Sequence, residues 1–489
     1  MKAKILIDIK KTISKIDKRL FGSFIEHLGR AVYTGIYEPT HKTANKDGFR
    51  EDVATIVKDL NVPVIRYPGG NFVSGYNWED GIGDKSKRPK KMELAWQAVE
   101  TNEVGLHEFY SWAENVGADV MMAVNLGTRG ADEARQLVEY CNSNTHTYYA
   151  DLRRKNGREK PFNIKLWCLG NEMDGDWQIG HKTAYEYARI AHESAKLMKT
   201  IDSSIELVAC GSSNSYMPTF GEWEETVLRE CYNDIDYISL HSYYGNYDDD
   251  TPNFLASSIN MDEFIKKVGS ICDKVQAEKK TDKKIYLSFD EWNVWFHSGE
   301  QDRKIEKWQI APPQLEDIYT LEDALLVGSL IITLIKNSDR VKIACLAQLV
   351  NVIAPIMTEK NGKVWKQTIF YPYMHAIKYA KGTAIGIDVD CEKYDTKTYK
   401  KVPYIDAVAT MDGDGVVLFA VNRSLDSECL LNVKIDNAEM VEHIALTGDN
   451  IKNTNSVDAE KIYPKTIKTE KTPVLPSKSW NVIRYKIKS

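Results

Sequence analysis

The stretch IKLWCLGNEMDGDWQIGHKTAYEYARIAHESAKLMKTI, Ile164–Ile201, contains one complete unit of the pattern from which the fold is read. An apolar run, Ile164–Leu169, is short enough for a strand buried on both faces. A polar, glycine-containing loop follows, and from Thr183 to Ile201 apolar residues recur at helical spacing. Strand, loop and helix in that order make a βα unit, and the same order recurs in both directions along the chain.

Working outward, the strand-like runs are Leu20–Glu26, Val62–Tyr67, Asp119–Asn125, Ile164–Leu169, Ile205–Cys210, Tyr237–His241, Ile285–Phe289 and Ile343–Leu349. Helical patterns separate them at Phe49–Leu60, Leu106–Val116, Asp132–Cys141, Thr183–Ile201, Glu222–Cys231, Met261–Gln276 and Leu321–Lys336, with a last helix expected after Pro372. Eight strands, each leading to a helix, close most simply as a (β/α)8 TIM barrel, because right-handed crossovers then bury both faces of every strand. A doubly wound open sheet is the alternative. After Ala384 the rhythm changes to short alternating strands with turn signals such as MDGDG. Candidates are Ala407–Met411, Val416–Val421, Leu430–Ile435 and Ser479–Ile487, which read as an all-β sandwich. The first apolar alternation, Ala3–Ile9, needs strand partners and is assigned to that sandwich. The expected division is a catalytic barrel over 18–384 and a β-sandwich over 1–17 and 385–489.

Composition narrows the function. With 43% hydrophobic residues and a net charge of −6, the chain has ample material for a large core and no basic surplus to neutralise a phosphate backbone. Nucleic acid is not an expected partner. The longest apolar stretch, Ala324–Ile335, falls far short of the ~20 residues that cross a bilayer, so no membrane partner is expected either. The amino terminus interrupts its apolar residues with Asp8 and several lysines, unlike a secretion signal, so a cytoplasmic location is the expectation. Eight scattered cysteines without a CxxC pair fit buried free thiols. The ten histidines form no HExxH, and no metal is expected.

In a barrel of this kind the reacting groups stand where strands run out. Nearly every apolar run here ends in a polar group: Glu26, Arg66 and Asn71, Asn125, Asn171 with Glu172, His241 and Tyr243, Asp290 with Glu291, and Gln348. Any one of them alone could be an ordinary strand-end residue; their shared position is what points to a site. Glu172 and Glu291 each follow a strongly apolar strand. Two carboxyls at the mouth of a low-dielectric core, in opposed environments, supply one proton donor and one anion. Glycoside hydrolysis needs that pair, and the retaining version requires them about 5 to 5.5 Å apart. Either glutamate could instead pair structurally with Arg66 or a lysine.

Supporting roles follow from position. Asn171 is placed to hold a sugar 2-hydroxyl, His241 and Tyr243 to hydrogen-bond around the nucleophile, and Arg66 to keep Glu291 anionic. Trp177, in a polar loop just after Glu172, is read as lining a pocket, whereas Trp292 and Trp295 are read as packing residues. Gly69 and Gly70 lack the companions of a phosphate loop and are read as permitting close backbone approach to the sugar.

At LGNEMDGDWQIGH (Leu169–His181) and LSFDEWNVWF (Leu287–Phe296) the sequence closely resembles glycoside hydrolase family 51, the α-L-arabinofuranosidases. The likeness continues through LFGSFIEHLGRAVYTGIYEP, RYPGGNFVSGYNWEDGIG, TNEVGLHEF, SLHSYYGN and AQLVNVIAPI, covering essentially the whole barrel. It implies Glu172 as acid/base and Glu291 as nucleophile, with Glu26, Asn71, Asn171, Tyr243 and Gln348 binding an arabinofuranose and Trp177 near the leaving group. It further implies no cofactor, an arabinofuranosyl oligosaccharide as substrate, and a homo-oligomer, often a hexamer. The competing expectations are a related barrel glycosidase (a β-xylosidase, endoglucanase or endo-acting arabinanase) and a carbohydrate-binding protein with an inert barrel.

Overall fold

The computed structural model describes residues 1–468 and 472–488. Eight parallel strands close into a barrel: β1 (Gly22–Phe24), β2 (Val64–Tyr67), β3 (Asp119–Val124), β4 (Leu166–Leu169), β5 (Glu206–Ala209), β6 (Tyr237–Tyr244), β7 (Tyr286–Val294) and β8 (Val341–Ala347). Each strand pairs with its sequence neighbour, and β8 returns to β1 through the register Cys345 with Gly22. A helix follows each strand, from Glu51–Leu60 after β1 to Phe370–Tyr379 after β8. The fold is therefore the expected TIM barrel and not an open sheet.

Local sequence explains the units. In β4 every residue of LWCL is buried, as parallel strands covered on both faces require. The helix that follows, Ala184–Ile201, starts at a capping box. Thr183 accepts from the Glu186 amide, and the Glu186 carboxylate accepts from the Thr183 amide at 2.9 Å. Helix Leu321–Lys336 is apolar almost all round and is buried along its length up to Lys336, because it lies between the barrel and the C-terminal domain. Gly328 lets that domain approach: a Cβ there would sit 2.6 Å from the Trp480 ring.

The C-terminal β-sandwich has nine strands in one continuous ladder, and the amino-terminal strand Lys2–Lys15 takes an inner place in it. That strand pairs antiparallel with Thr383–Asp390 and parallel with Cys429–Ile435. Its register shifts between Ile7 and Thr12, the kind of irregularity that bends a strand. Period-two alternation serves two cores at once. In strand Gly415–Asn422, Val416, Leu418 and Ala420 join Ile5, Ile385 and Leu431 in a core belonging to the sandwich, while Phe419 and Val421 join Trp480 in the core shared with the barrel. Residues 469–471 and 489 of the expected sandwich lie outside the described residues.

All eight cysteines are unpaired, and all but the half-buried Cys391 are buried. Among the described residues no helix is long and apolar enough to cross a membrane.

Candidate active site

The carboxyl ends of β2, β4, β6 and β7 converge on one cluster. Beyond β4 the chain turns through Gly170 (φ 85°), and Glu172 itself adopts a left-handed backbone (φ 45°). For a non-glycine residue that conformation costs on the order of 1–3 kcal/mol, so the surroundings must impose it. They do so through the loop: Gly175 N–H donates to the Glu172 carbonyl at 3.0 Å, Lys182 N–H donates to the Met173 carbonyl at 2.9 Å, and the Asp174 carboxylate accepts from the Ser213 amide and hydroxyl.

On β7 two consecutive acids, Asp290 and Glu291, both reach into the cluster. A regular strand would send them to opposite faces. The ladder breaks register here on both sides, between Ser288 and Glu291 against β6 and between Phe289 and Trp292 against β8. Such irregularities re-aim side chains beside active sites.

The distances define the chemistry. A carboxylate oxygen of Glu172, one of Glu291 and a ring nitrogen of His241 all lie within 4.8 Å of one another. Arg66 donates to Glu291 Oε1 at 2.5 Å and to Asn171 Oδ1 at 2.7 Å. The Tyr243 hydroxyl donates to Glu291 Oε2 at 2.9 Å. On the other carboxyl, His241 Nδ1 stands 2.9 Å from Glu172 Oε1 and Trp177 Nε1 donates to Glu172 Oε2 at 2.9 Å. His241 thus bonds the Glu172 side and not, as its strand position led one to expect, primarily Glu291, which lies at 3.6 Å.

Charge sorts the two glutamates. Burial opposes ionisation of Asp290, but Arg66 and His241 outweigh it and hold that carboxyl below its usual range. Burial opposes the charge on Arg66 as well, and Asp290 and Glu291 outweigh it. Burial likewise opposes protonation of His241, and the Glu291, Asp290 and Glu172 carboxylates overcome it, raising the imidazole to about 10. Burial pushes Glu172 upward, a shift that its hydrogen bond from His241 opposes and the nearby Glu291 charge reinforces. Arg66 and His241 stand against the Asp290 and Glu291 carboxyls, and burial makes Glu172 hold its proton more tightly than a free carboxyl does. The three atoms around His241 have the spacing to hold a cation. An imidazole protonated at both nitrogens has no lone pair to give one.

A second polar group forms the floor. Glu26 accepts from the Phe72 amide at 2.8 Å, from Trp96 Nε1 at 2.9 Å and from Gln348 Nε2 at 3.4 Å. Asn71 accepts from Asn171 Nδ2 at 3.3 Å, joining this floor to the Glu172 loop. Burial, above all, raises the Glu26 carboxyl to about 8 from its usual 4.5. A carboxyl raised on folding adds stability that is fully present below its unfolded pKa and is lost as pH rises through about 8. Glu26→Gln is therefore expected to flatten the decline in melting temperature between pH 6 and 9. Equal slopes in wild type and variant would contradict that assignment.

Gly70 explains the glycine pair. A Cβ at that position would stand 2.8 Å from Glu291 Oε1 and 3.4 Å from Asn171 Nδ2. The close approach is to the carboxylate itself, where the sequence pointed to a sugar. Gly70→Ala should displace Glu291 and lower kcat/KM by roughly 10²-fold, the scale of an ångström's misplacement. An unchanged rate would mean that Glu291 can retreat without losing its aim.

The structure brings Glu172, Glu291, Asn171, Arg66, His241 and Tyr243 together, with Glu26, Asn71 and Gln348 on the adjoining floor and Trp177, 49% exposed, at the rim. Asn125 instead braces a loop, donating to the Tyr76 carbonyl and accepting from the Gly127 and Thr128 amides. Trp292 is core, as expected, but Trp295 is 36% exposed and meets Tyr243 edge to face at 5.5 Å. Sequence reasoning assigned no role to Trp96. It sits in the hairpin of Lys91–Glu93 and Ala98–Glu100, where the Glu93 carboxylate holds the amides of Ala95 and Trp96.

The chain is similar to known proteins over nearly its whole length. Residues 56–255 match the α-L-arabinofuranosidase 1 domain, and residues 290–479 match the α-L-arabinofuranosidase C-terminal domain. The chain is 58% identical to the intracellular exo-α-(1→5)-L-arabinofuranosidase of Halalkalibacterium halodurans, over 99% of this chain and 98% of that one. It is 55% identical to intracellular exo-α-(1→5)-L-arabinofuranosidase 1 of Bacillus subtilis, over the full length of both. Among solved structures, a family 51 α-L-arabinofuranosidase from Bifidobacterium longum superposes with a TM-score of 0.94 at 44% identity, covering 99% of each chain. The arabinose complex of the Thermotoga maritima α-L-arabinofuranosidase gives 0.89 at 34%, covering 99% of this chain and 100% of that one. Barrel, paired carboxyls and full-length likeness coincide, and the chain belongs to glycoside hydrolase family 51, the α-L-arabinofuranosidases.

Proposed function

We propose that this protein is an exo-acting, retaining α-L-arabinofuranosidase that removes terminal non-reducing α-L-arabinofuranosyl residues from oligosaccharides derived from arabinan and arabinoxylan. The observation that carries the retaining mechanism is the approach of the Glu172 and Glu291 oxygens to within 4.8 Å. Retaining enzymes hold their carboxyls about 5 to 5.5 Å apart, whereas inverting ones need about 6.5 to 9.5 Å to admit a water. Exo action is supported by depth. Glu26, Asn171, Glu291 and Gln348 are all nearly fully buried, so a sugar reaching them enters as a chain end, with Trp177 and Trp295 left at the rim.

In the first step Glu291 attacks the anomeric carbon as the glycosidic C–O bond breaks, and the Glu172 proton goes to the departing oxygen. In the second, a water oxygen bonds to the same carbon, its proton passes to Glu172, and the Glu291 ester bond breaks. Arg66 and Tyr243 hold Glu291 in line as a carboxylate, while burial keeps Tyr243 itself protonated and donating. Asn171, fixed by Arg66, is the group for the sugar 2-hydroxyl.

The (1→5) names of the two relatives above support α-(1→5)-linked arabino-oligosaccharides as substrate, and their intracellular names support a cytoplasmic setting in which short, imported oligosaccharides are the food. A homo-oligomer, a hexamer in particular, belongs to the same reading; light scattering of the purified protein measures it. A panel of arabinofuranosyl, xylosyl and glucosyl substrates with NMR of the first-formed anomer tests the function. Release of α-L-arabinofuranose first supports it. Inverted product, or cleavage within a linear arabinan, would overturn it.

A further inference from the structure

Asp290 takes no part in either step above, yet it is 1% exposed at the base of the site. Its Oδ2 lies 3.5 Å from Arg66 Nε, and its Oδ1 lies 3.5 Å from His241 Nε2. Arg66 Nε, His241 Nε2 and Asp290 Oδ1 are buried and make no hydrogen bond of ordinary geometry; Oδ1 faces the His241 nitrogen, while Oδ2, which accepts from Cys168 Sγ at 3.8 Å, faces Arg66 Nε. The second ring nitrogen of His241 also faces acids, with Glu172 at 2.9 Å and Glu291 at 3.6 Å. A neutral imidazole carries one N–H and can donate to only one of these sides; an imidazolium donates to both, including to the Glu172 carboxylate once its proton has left.

We propose that Asp290 is a positioning residue that holds His241 as an imidazolium throughout the reaction, so that the Glu172 carboxylate left by proton transfer always meets a fixed N–H cation. This rests on Glu172 being the acid/base. The protons balance without drawing on His241. Glu172 loses its proton to the leaving oxygen and regains one from water, while the imidazolium keeps both of its own and offsets the alternating charge beside it. The charged and titratable groups around the ring are Glu172 and Asp174 from the β4 loop, Asp290 and Glu291 from β7, Arg66 from β2 and Tyr243 on its own strand. Acids outnumber the one neighbouring cation, in keeping with the raised proton affinity of the imidazole.

Asp290→Asn removes the countercharge and keeps the shape. Taking away one negative charge favours earlier loss of a proton from the His241–Glu172 pair, whichever of the two releases it. The alkaline limb of the pH profile of kcat/KM, on a substrate with a poor leaving group, should move to lower pH by about one unit, a tenfold change in proton affinity. Selective ¹⁵N-histidine labelling reads the same quantity directly, with His241 identified by its absence in His241→Asn. Both ring nitrogens should be protonated at pH 8 in wild type, and the titration of His241 should move about one unit lower in Asp290→Asn. A neutral His241 at pH 7 in wild type overturns the proposal, as does an unmoved alkaline limb in the variant. If Asp290→Asn does not fold, the wild-type spectrum alone decides. Failure of the acid/base reading would appear instead as an unimpaired Glu172→Ala enzyme, and the histidine spectrum does not depend on that outcome.

Discussion

Glu291→Ala is expected to abolish turnover to the extent of ~10⁵-fold in kcat, the scale on which removing a covalent nucleophile acts in other enzymes. The loss should be similar for good and poor leaving groups, because the variant lacks the atom that forms the glycosyl-enzyme whatever departs. Wild type incubated with a slowly hydrolysed fluorinated arabinofuranoside should gain the mass of one sugar on the peptide containing Glu291. The variant should gain none. There is a structural cost as well. Glu291 is one of two anions facing the fully buried Arg66, and breaking a buried pair typically costs about 3–5 kcal/mol. Because Asp290 remains as a partner, the penalty should fall at or below the lower end, visible as a reduced melting temperature in a protein that still folds. Label on a different residue, or activity within tenfold of wild type in a folded variant, would remove Glu291 from the mechanism.

The sequence exposes the barrel through its most repetitive feature, apolar runs alternating with amphipathic helices, and it exposes the acids because they stand just past those runs. Its failures have physical causes. The expected strands Tyr237–His241 and Ile285–Phe289 stop where apolarity stops, but β6 continues to Tyr244 and β7 to Val294. Ladder pairing does not require apolar side chains when both neighbours are strands, and Glu291 is registered directly against His241. The two acids on β7 therefore ride on a strand, which holds them more rigidly than a loop would. The break in register that turns Asp290 inward beside Glu291 leaves no mark in a period-two pattern. The hairpin carrying Trp96 escapes for a different reason. Its strands are three residues long, too short for periodicity, and its turn is held by the Glu93 carboxylate on the amides of Ala95 and Trp96. Burial, above all, raises Glu93 to about 7, a property no sequence window reports. Trp295 read as a packing residue because tryptophans usually are; its exposure comes from standing one residue past the end of β7.

Glu172→Ala should divide substrates where Glu291→Ala does not. Positioned proton transfer contributes roughly 10²- to 10⁴-fold, so the loss in kcat/KM, which reports the first step, should approach the upper figure for an alkyl or sugar leaving group. It should shrink toward the lower figure, or below it, for an aryl group acidic enough to depart unprotonated. The backbone makes alanine a cleaner probe than its burial implies. Alanine pays the same left-handed cost that Glu172 already pays at φ 45°, and the loop's own bonds from Gly175, Lys182 and Ser213 are untouched. With a good leaving group the first step survives, and hydrolysis of the glycosyl-enzyme, which has lost its base, becomes limiting. Azide, an anion that needs no base to attack, should then accelerate turnover and yield a glycosyl azide of retained configuration. Trp177, whose indole donates to Glu172, should lose its anchor at the rim, so KM for oligosaccharides is expected to rise alongside the fall in kcat. Rates that fall equally for every leaving group, without rescue by azide, would place the proton donor elsewhere and leave the raised affinity of Glu172 for its proton without a catalytic use.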